Sequence, residues 1–247
     1  MRILLIRHGD PDYVNDTLTE KGRREAALLA KRVVSMNMGE CYKSPLGRAK
    51  DTATPCLEVT GKTAEILDWL QEFPAQVDLN KNPELEKAYP DVKKEGGYFL
   101  PRIAWDMVPG YWTEHEAYMD KNTWRETEVA KNSDLVEVYD YVIEEFDRFL
   151  AEHGYVREGA HYRVEKESDE TVTFFCHFGI SCVLLSHFME CITIRTLALP
   201  CACTNFCDRS SNRRERTGNG IFPWIESRRY LTSLCRWRRT ILRSKIL

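Results

Sequence analysis

Arg7-His8 follows a short apolar run, Arg48 stands behind Ser44-Pro45-Leu46-Gly47, Glu72 follows Leu70-Gln71, and His177 lies between Cys176 and Phe178-Gly179. A dianionic phosphoryl group calls for forked donors and positive charge, which arginine supplies in bidentate form. A neutral imidazole can attack phosphorus, and a second, protonated imidazole can hold the equatorial oxygens. Arginines, histidines and a carboxylate in these settings describe a phosphate site. His115, His153, His161 and His187 lack comparable neighbours and are expected to be structural or surface residues.

Such residues must be gathered by the elements that precede them. Ile3 to Ile6 is a short, nearly continuous apolar run within a strand from Arg2 to Arg7, the pattern of a strand buried on both faces that delivers polar residues at its C-terminal end. Thr19 can cap a helix running to about Ser35, with Ala26, Leu29, Ala30 and Val33 on its apolar face. A second strand is expected around Cys41 to Lys43. It leads into a helix with Pro45 in its first turn and Ala49, Thr52, Ala53 and Cys56 along it. Thr63 to Leu70 has the character of a third strand.

Phe73 to Ser133 mixes proline, glycine, tryptophan and charge without a sustained period, as in a partly helical cap or insertion. Its Tyr111, Trp112, His115, Tyr118, Trp124 and Arg125 suit either a lid over a leaving group or simple anchoring, and anchoring is the commoner use of large aromatics. From Asp134, Leu135, Val138, Tyr139, Val142, Phe146 and Phe149 line one face of a long helix ending before Gly154. Thr171 to Cys176 is a strand, and Ile180 to Met189 an apolar helix. Strands alternating with helices predict an α/β three-layer sandwich, a mainly parallel sheet with helices on both faces and functional residues at the strands' C-terminal ends.

In order along the chain, Arg7-His8-Gly9, Leu18-Thr19-Glu20-Lys21-Gly22, Ser44-Pro45-Leu46-Gly47-Arg48-Ala49-Lys50-Asp51-Thr52-Ala53, Leu70-Gln71-Glu72 and His177-Phe178-Gly179 resemble the signature segments of the histidine phosphatase superfamily, the phosphoglycerate mutase-like proteins. The Ser-Pro-Leu block is the most specific of them. The resemblance spans residues 1–189. It implies that His8 is the nucleophile that becomes phosphohistidine, that Arg7, Arg48 and His177 clamp the phosphoryl oxygens, and that Glu72 is the general acid, with Asp68 the competing carboxylate. Residues 1–190 are then one histidine phosphatase-like domain with the insertion at 73–133. The implied activity is phosphomonoester hydrolysis without a metal or other cofactor. A phosphoglycerate-type mutase and a non-catalytic phospholigand-binding relative are the alternatives.

Composition agrees with that class. With 43% hydrophobic and 30% charged residues over 247 positions, the chain resembles neither a disordered nor a fibrous protein. Its net charge of -3 gives no sign of nucleic acid or an anionic membrane as partner, and a small phosphate ester is the expected one. The apolar run after Met1 is too short for a signal segment, and no later run reaches membrane length. Cys41, Cys56, Cys176 and Cys182 sit in apolar or helical patterns that suit reduced thiols, and a cytoplasmic location is expected.

The average charge hides a break after Glu190. Before it stand 23 basic against 35 acidic residues; after it stand 12 against 3, with eleven arginines and Lys245 making up the basic set. Segment 191–247 also holds Cys191, Cys201, Cys203, Cys207 and Cys235, at spacings that match no standard zinc pair. Nucleic-acid arms mix lysine with arginine and seldom carry so many cysteines and tryptophans. A frameshift near Glu190 explains the composition better. Permissible codons for the tail, shifted one base downstream, spell segments such as Val-Ser-Pro-Ser-Val-His-Trp-His and Gly-Thr-Ala-Tyr-Phe-Arg, which suit the closing strands of the superfamily. Sequencing the coding DNA across Glu190 is expected to show these words in the shifted frame, and a coding strand without them contradicts the frameshift.

Overall fold

The computed structural model describes residues 1–189 except Pro90. Glu190 and the arginine- and cysteine-rich tail, with its Cys201, Cys203 and Cys207, lie outside the described residues. Two compact units are present, one of residues 1–68 and 166–176, the other of residues 69–165 and 177–189 among those described.

In chain order the first unit holds β1 (Arg2–Arg7), β2 (Pro11–Asp12), β3 (Thr17–Leu18), α1 (Glu20–Val33), β4 (Glu40–Lys43), α2 (Gly47–Thr60) and β5 (Ala64–Ile66). The second adds β6 (Gln76–Val77), β7 (Lys94–Glu95), β8 (Tyr98–Phe99), β9 (Arg102–Ile103), α3 (Pro109–Thr113), α4 (Glu128–Lys131), α5 (Leu135–Glu152), β10 (Tyr155–Glu158) and β11 (His161–Val164). The chain then returns to the first unit as β12 (Thr171–Cys176) and leaves it as α6 (Phe178–Met189).

The first unit is an α/β layer built on a parallel sheet of order β1-β12-β4-β5, as the alternation of strands and helices predicts. The last strand to form in sequence therefore lies between the first and the fourth. All six residues of Thr171–Cys176 are buried, which requires cover on both faces of the sheet. On one face Ile6, Cys41 and Phe175 pack with Leu29, Ala30, Val33, Ala53, Cys56 and Leu57 of α1 and α2. The Thr173 hydroxyl, buried in the strand, donates to the Met38 carbonyl oxygen at 2.6 Å, so it leaves no polar group orphaned. Thr19 caps α1 as its position suggests, accepting from the Gly22 N–H at 3.1 Å.

Two sequence expectations are corrected, and one element goes unannounced in the sequence. Thr63 to Leu70 is not one strand: β5 covers only Ala64–Ile66, and Asp68–Leu70 is a 3-10 turn that buries Trp69 and Leu70. Pro45 precedes α2 instead of occupying its first turn, because Leu46 is the extended N-cap residue. The hairpin of β10 and β11 was not signalled by any alternating pattern; it is held by Tyr155↔Val164 through Glu158↔His161 pairing.

In the second unit, Leu135, Tyr139, Val142, Phe146 and Phe149 of α5 are buried, as their spacing requires, with Phe146 stacked edge-on to Phe188 of α6. The insertion is partly helical, with short strand pairs β6-β9 and β7-β8. Its aromatics anchor it: Trp112, Tyr118 and Trp124 are all below a tenth exposed, and Arg125 makes a two-pronged ion pair with Asp140 beneath the Trp124 ring. The four described cysteines are buried. No described helix is long and apolar enough to cross a membrane.

Phe175 fills the space between sheet and helices with 1% of its surface exposed. Phe175→Ala is expected to cost about 3 to 5 kcal/mol of stability by opening a cavity there, measured by urea unfolding. A loss below about 1 kcal/mol would show that the helices do not depend on this packing.

Candidate active site

Because β1 and β12 run parallel with Arg7 opposite Cys176, both strands end at the same edge of the sheet. The His8 N–H continues the ladder by donating to the Cys176 carbonyl oxygen at 3.1 Å. His8 is thus fixed by its backbone before its side chain is considered. The next residue after Cys176 in the chain is His177.

The loop after β1 is tied to α2. The Gly9 N–H donates to the Thr52 hydroxyl at 3.0 Å, and that hydroxyl donates in turn to the Arg48 carbonyl oxygen at 2.8 Å. Thr52 therefore couples Arg-His-Gly to the Ser-Pro-Leu block. Ser44 turns the chain between β4 and α2: its N–H donates to the Phe175 carbonyl oxygen and its hydroxyl accepts from the Leu46 N–H. Arg48, in the first turn of α2, is buried with only 8% of its surface exposed.

The His8 imidazole shares its Nδ1 with the Gly9 carbonyl oxygen at 2.7 Å. A carbonyl oxygen only accepts, so the proton of the neutral ring sits on Nδ1 and the lone pair on Nε2. Burial holds the imidazole pKa down to about 4; the Gly9 bond opposes this, and the positive charges of Arg7 and Arg48 add to it. At neutral pH His8 is an uncharged ring with a nucleophilic nitrogen.

In the second unit, Glu72 meets the start of α6. One carboxylate oxygen, Oε1, accepts from the Gly179 N–H at 2.7 Å, and Oε2 lies 4.0 Å from His177 Nδ1. Gly179 is required there, since a Cβ would stand 2.6 Å from Glu72 Oε1 and 3.3 Å from the Phe73 side chain. Trp105 holds the chain just past Glu72 by donating from its indole nitrogen to the Phe73 carbonyl oxygen at 2.9 Å. His177 is fully buried, and its carbonyl oxygen accepts from Ser181. Asp68, the competing carboxylate, is exposed in the 3-10 turn.

The structure thus gathers Arg7, His8 and Arg48 in the first unit, and Glu72 with His177 in the second. The other histidines have structural roles: His187 pairs with Asp147 at 2.9 Å, and His153 bonds the Phe149 carbonyl oxygen. Sequence reasoning missed Asp16, whose carboxylate contacts both Gly47 and Arg48 at 2.6 Å. A signal was present, since Leu46 cannot cap α2 with its side chain and an acceptor had to come from elsewhere.

Residues 3–98 match the model of the histidine phosphatase superfamily, branch 1. That segment holds the Arg-His-Gly, Ser-Pro-Leu and Leu-Gln-Glu motifs, and the resemblance they carry is borne out. Over 68 residues the chain is 34% identical to a probable phosphatase of Schizosaccharomyces pombe; the match covers 24% of this chain and 32% of that protein's length. Among solved structures, similarity extends to a mycobacterial hydrolase at 19% identity, covering 80% of this chain and 85% of that one with a TM-score of 0.49. A mycobacterial glucosyl-3-phosphoglycerate phosphatase is 18% identical, over 80% of this chain and 85% of that one, with a TM-score of 0.45. A phosphoserine phosphatase from Entamoeba histolytica is 12% identical, over 79% and 83%, also with a TM-score of 0.45.

The lowered pKa sets a pH dependence. Unfolding returns His8 to its ordinary value of 6.5, so the unfolded chain takes up the proton first as pH falls. The stability tied to neutral His8 is complete above pH 6.5 and declines as pH falls toward about 4. Followed by NMR, the His8 ring is expected to titrate near pH 4, and a midpoint at the ordinary 6.5 would contradict its burial between the arginines.

Proposed function

We propose that this protein hydrolyses small phosphate monoesters, without a metal, through a phosphohistidine on His8. The observation that carries the proposal is the neutral His8 ring, protonated on Nδ1 toward Gly9 and flanked by guanidinium charge. A nucleophile for phosphorus needs an available lone pair, and the ester dianion it attacks needs cations around it.

In the first step His8 Nε2 attacks phosphorus and the bond to the ester oxygen breaks. Arg7, Arg48 and His177 hold the phosphoryl oxygens, and the Glu72 carboxyl gives its proton to the departing alkoxide. In the second step Glu72, now a carboxylate, takes a proton from water as the water oxygen attacks phosphorus. The phosphorus–nitrogen bond breaks, inorganic phosphate leaves, and both His8 and Glu72 return to their starting states. With Oε1 of Glu72 engaged by Gly179, Oε2 is the oxygen suited to carry this proton. The superfamily match and the likeness to a probable phosphatase support the phosphatase reading, with small phosphate esters as substrates. The cytoplasmic expectation and the non-native origin of 191–247 belong to the same proposal.

Turnover of a generic aryl phosphate with EDTA present is expected in the full chain. His8→Ala is expected to abolish it, and Glu72→Gln to lower kcat by about 10²- to 10⁴-fold, most strongly for poor leaving groups. Gly179→Ala is expected to lower kcat as well, by displacing Glu72. Turnover that survives His8→Ala rules out the covalent route, and transfer to a second substrate hydroxyl with no phosphate release identifies a mutase.

A further inference from the structure

Asp16, in the turn between β2 and β3, adopts a φ of 47°, the left-handed region that asparagine and aspartate tolerate and most side chains avoid. Both of its carboxylate oxygens accept a hydrogen bond. Oδ2 accepts from the Gly47 N–H at 2.6 Å, giving α2 the terminal acceptor that Leu46 lacks. Oδ1 accepts from Arg48 Nη1 at 2.6 Å. The turn is also locked by backbone contact: a Cβ on Gly47 would stand 2.0 Å from the Asp16 carbonyl oxygen. Thr17 donates to Asp51 one turn further along α2, and the Tyr13 ring lies 5.5 Å from the Arg48 guanidinium carbon.

These contacts engage only part of the Arg48 guanidinium. Its side chain is only 9% exposed, Nη1 is held by Asp16, and the buried Nε has no hydrogen-bond partner among the described residues. A buried guanidinium donor without an acceptor is costly, and an arriving anion would satisfy it. We propose that Asp16 is a positioning residue that pins Nη1 of Arg48 so that the Nε edge is kept for the phosphoryl group. This inference rests on Arg48 being a phosphate ligand, as in the proposed function.

The carboxylate acts in two opposed ways. It fixes the donor, and it places negative charge near an anion site. The Asp16 carboxyl itself stays below the ordinary carboxylate range: burial raises it, but the bonds from Gly47 and Arg48 outweigh that. If Asp16 merely stood where phosphate should bind, removing it would tighten phosphate binding. Positioning has the opposite sign.

The test is calorimetric titration of the full chain with inorganic phosphate, for Asp16→Gly and Asp16→Asn, each alone and with Arg48→Ala. Glycine removes the carboxylate while accepting the positive φ, so backbone strain does not confuse the result. Asparagine keeps the backbone preference and an acceptor oxygen. Asp16→Gly is expected to weaken phosphate binding by about tenfold or more, Asp16→Asn to recover most of that, and Asp16→Gly to add nothing once Arg48 is alanine. Tighter binding in Asp16→Gly overturns the proposal. Equal losses with and without Arg48, or a wild-type chain that binds no phosphate, do so too. Turnover and its loss in His8→Ala are measured separately. A chain that binds phosphate through Asp16 and Arg48 yet hydrolyses nothing leaves this inference standing and the hydrolase reading fallen.

Discussion

A buried imidazole that feels the charge of two guanidinium groups cannot take up a second proton at neutral pH. Burial is the larger cause, and the positive charges of Arg7 and Arg48 add to it. Much of the first unit serves this constraint. The parallel pairing of β1 with β12 fixes the His8 backbone, the Gly9 carbonyl oxygen accepts from Nδ1, and Thr52 ties that loop to the helix bearing Arg48. Moving any of these supports would let water reach the ring or change which nitrogen carries the lone pair.

The order of the sheet sets a strand from late in the sequence beside the first one. β12 enters between β1 and β4 although more than a hundred residues separate it from either, among them the whole of the insertion and α5. Its register places Cys176 opposite Arg7, and the chain continues directly into His177 and the N-terminal turn of α6. At that turn the Gly179 N–H meets Glu72, so the carboxylate and the second histidine are organised by one short segment.

Much of this was legible in the sequence, because the features that matter were dense in local signals. The apolar run within β1, the β-rich composition of β12, the Thr19 cap and the periodic face of α5 each depend on near neighbours, and each is found where expected. The preference for Glu72 over Asp68 rests on motif register alone; in the fold Asp68 is exposed and Glu72 accepts from the Gly179 N–H. What escaped was decided by tertiary contact. β5 stops at Ile66 because the chain there turns to bury Trp69 and Leu70, and α2 starts after Pro45 because Asp16 supplies its cap from another loop. A hairpin such as β10-β11, with half-exposed strands and few apolar residues, has no sequence period strong enough to announce it.

The central claim is that His8 carries the phosphoryl group covalently. The most direct measurement is to mix the chain with excess aryl phosphate, quench within a single turnover, and map any added phosphoryl group by mass spectrometry of base-stable, acid-labile peptides. The account predicts one phosphorylated site, on the peptide containing His8, appearing before free phosphate and lost on longer incubation. Phosphate released at the full single-turnover rate with no phosphorylated His8 peptide at any quench time would contradict it.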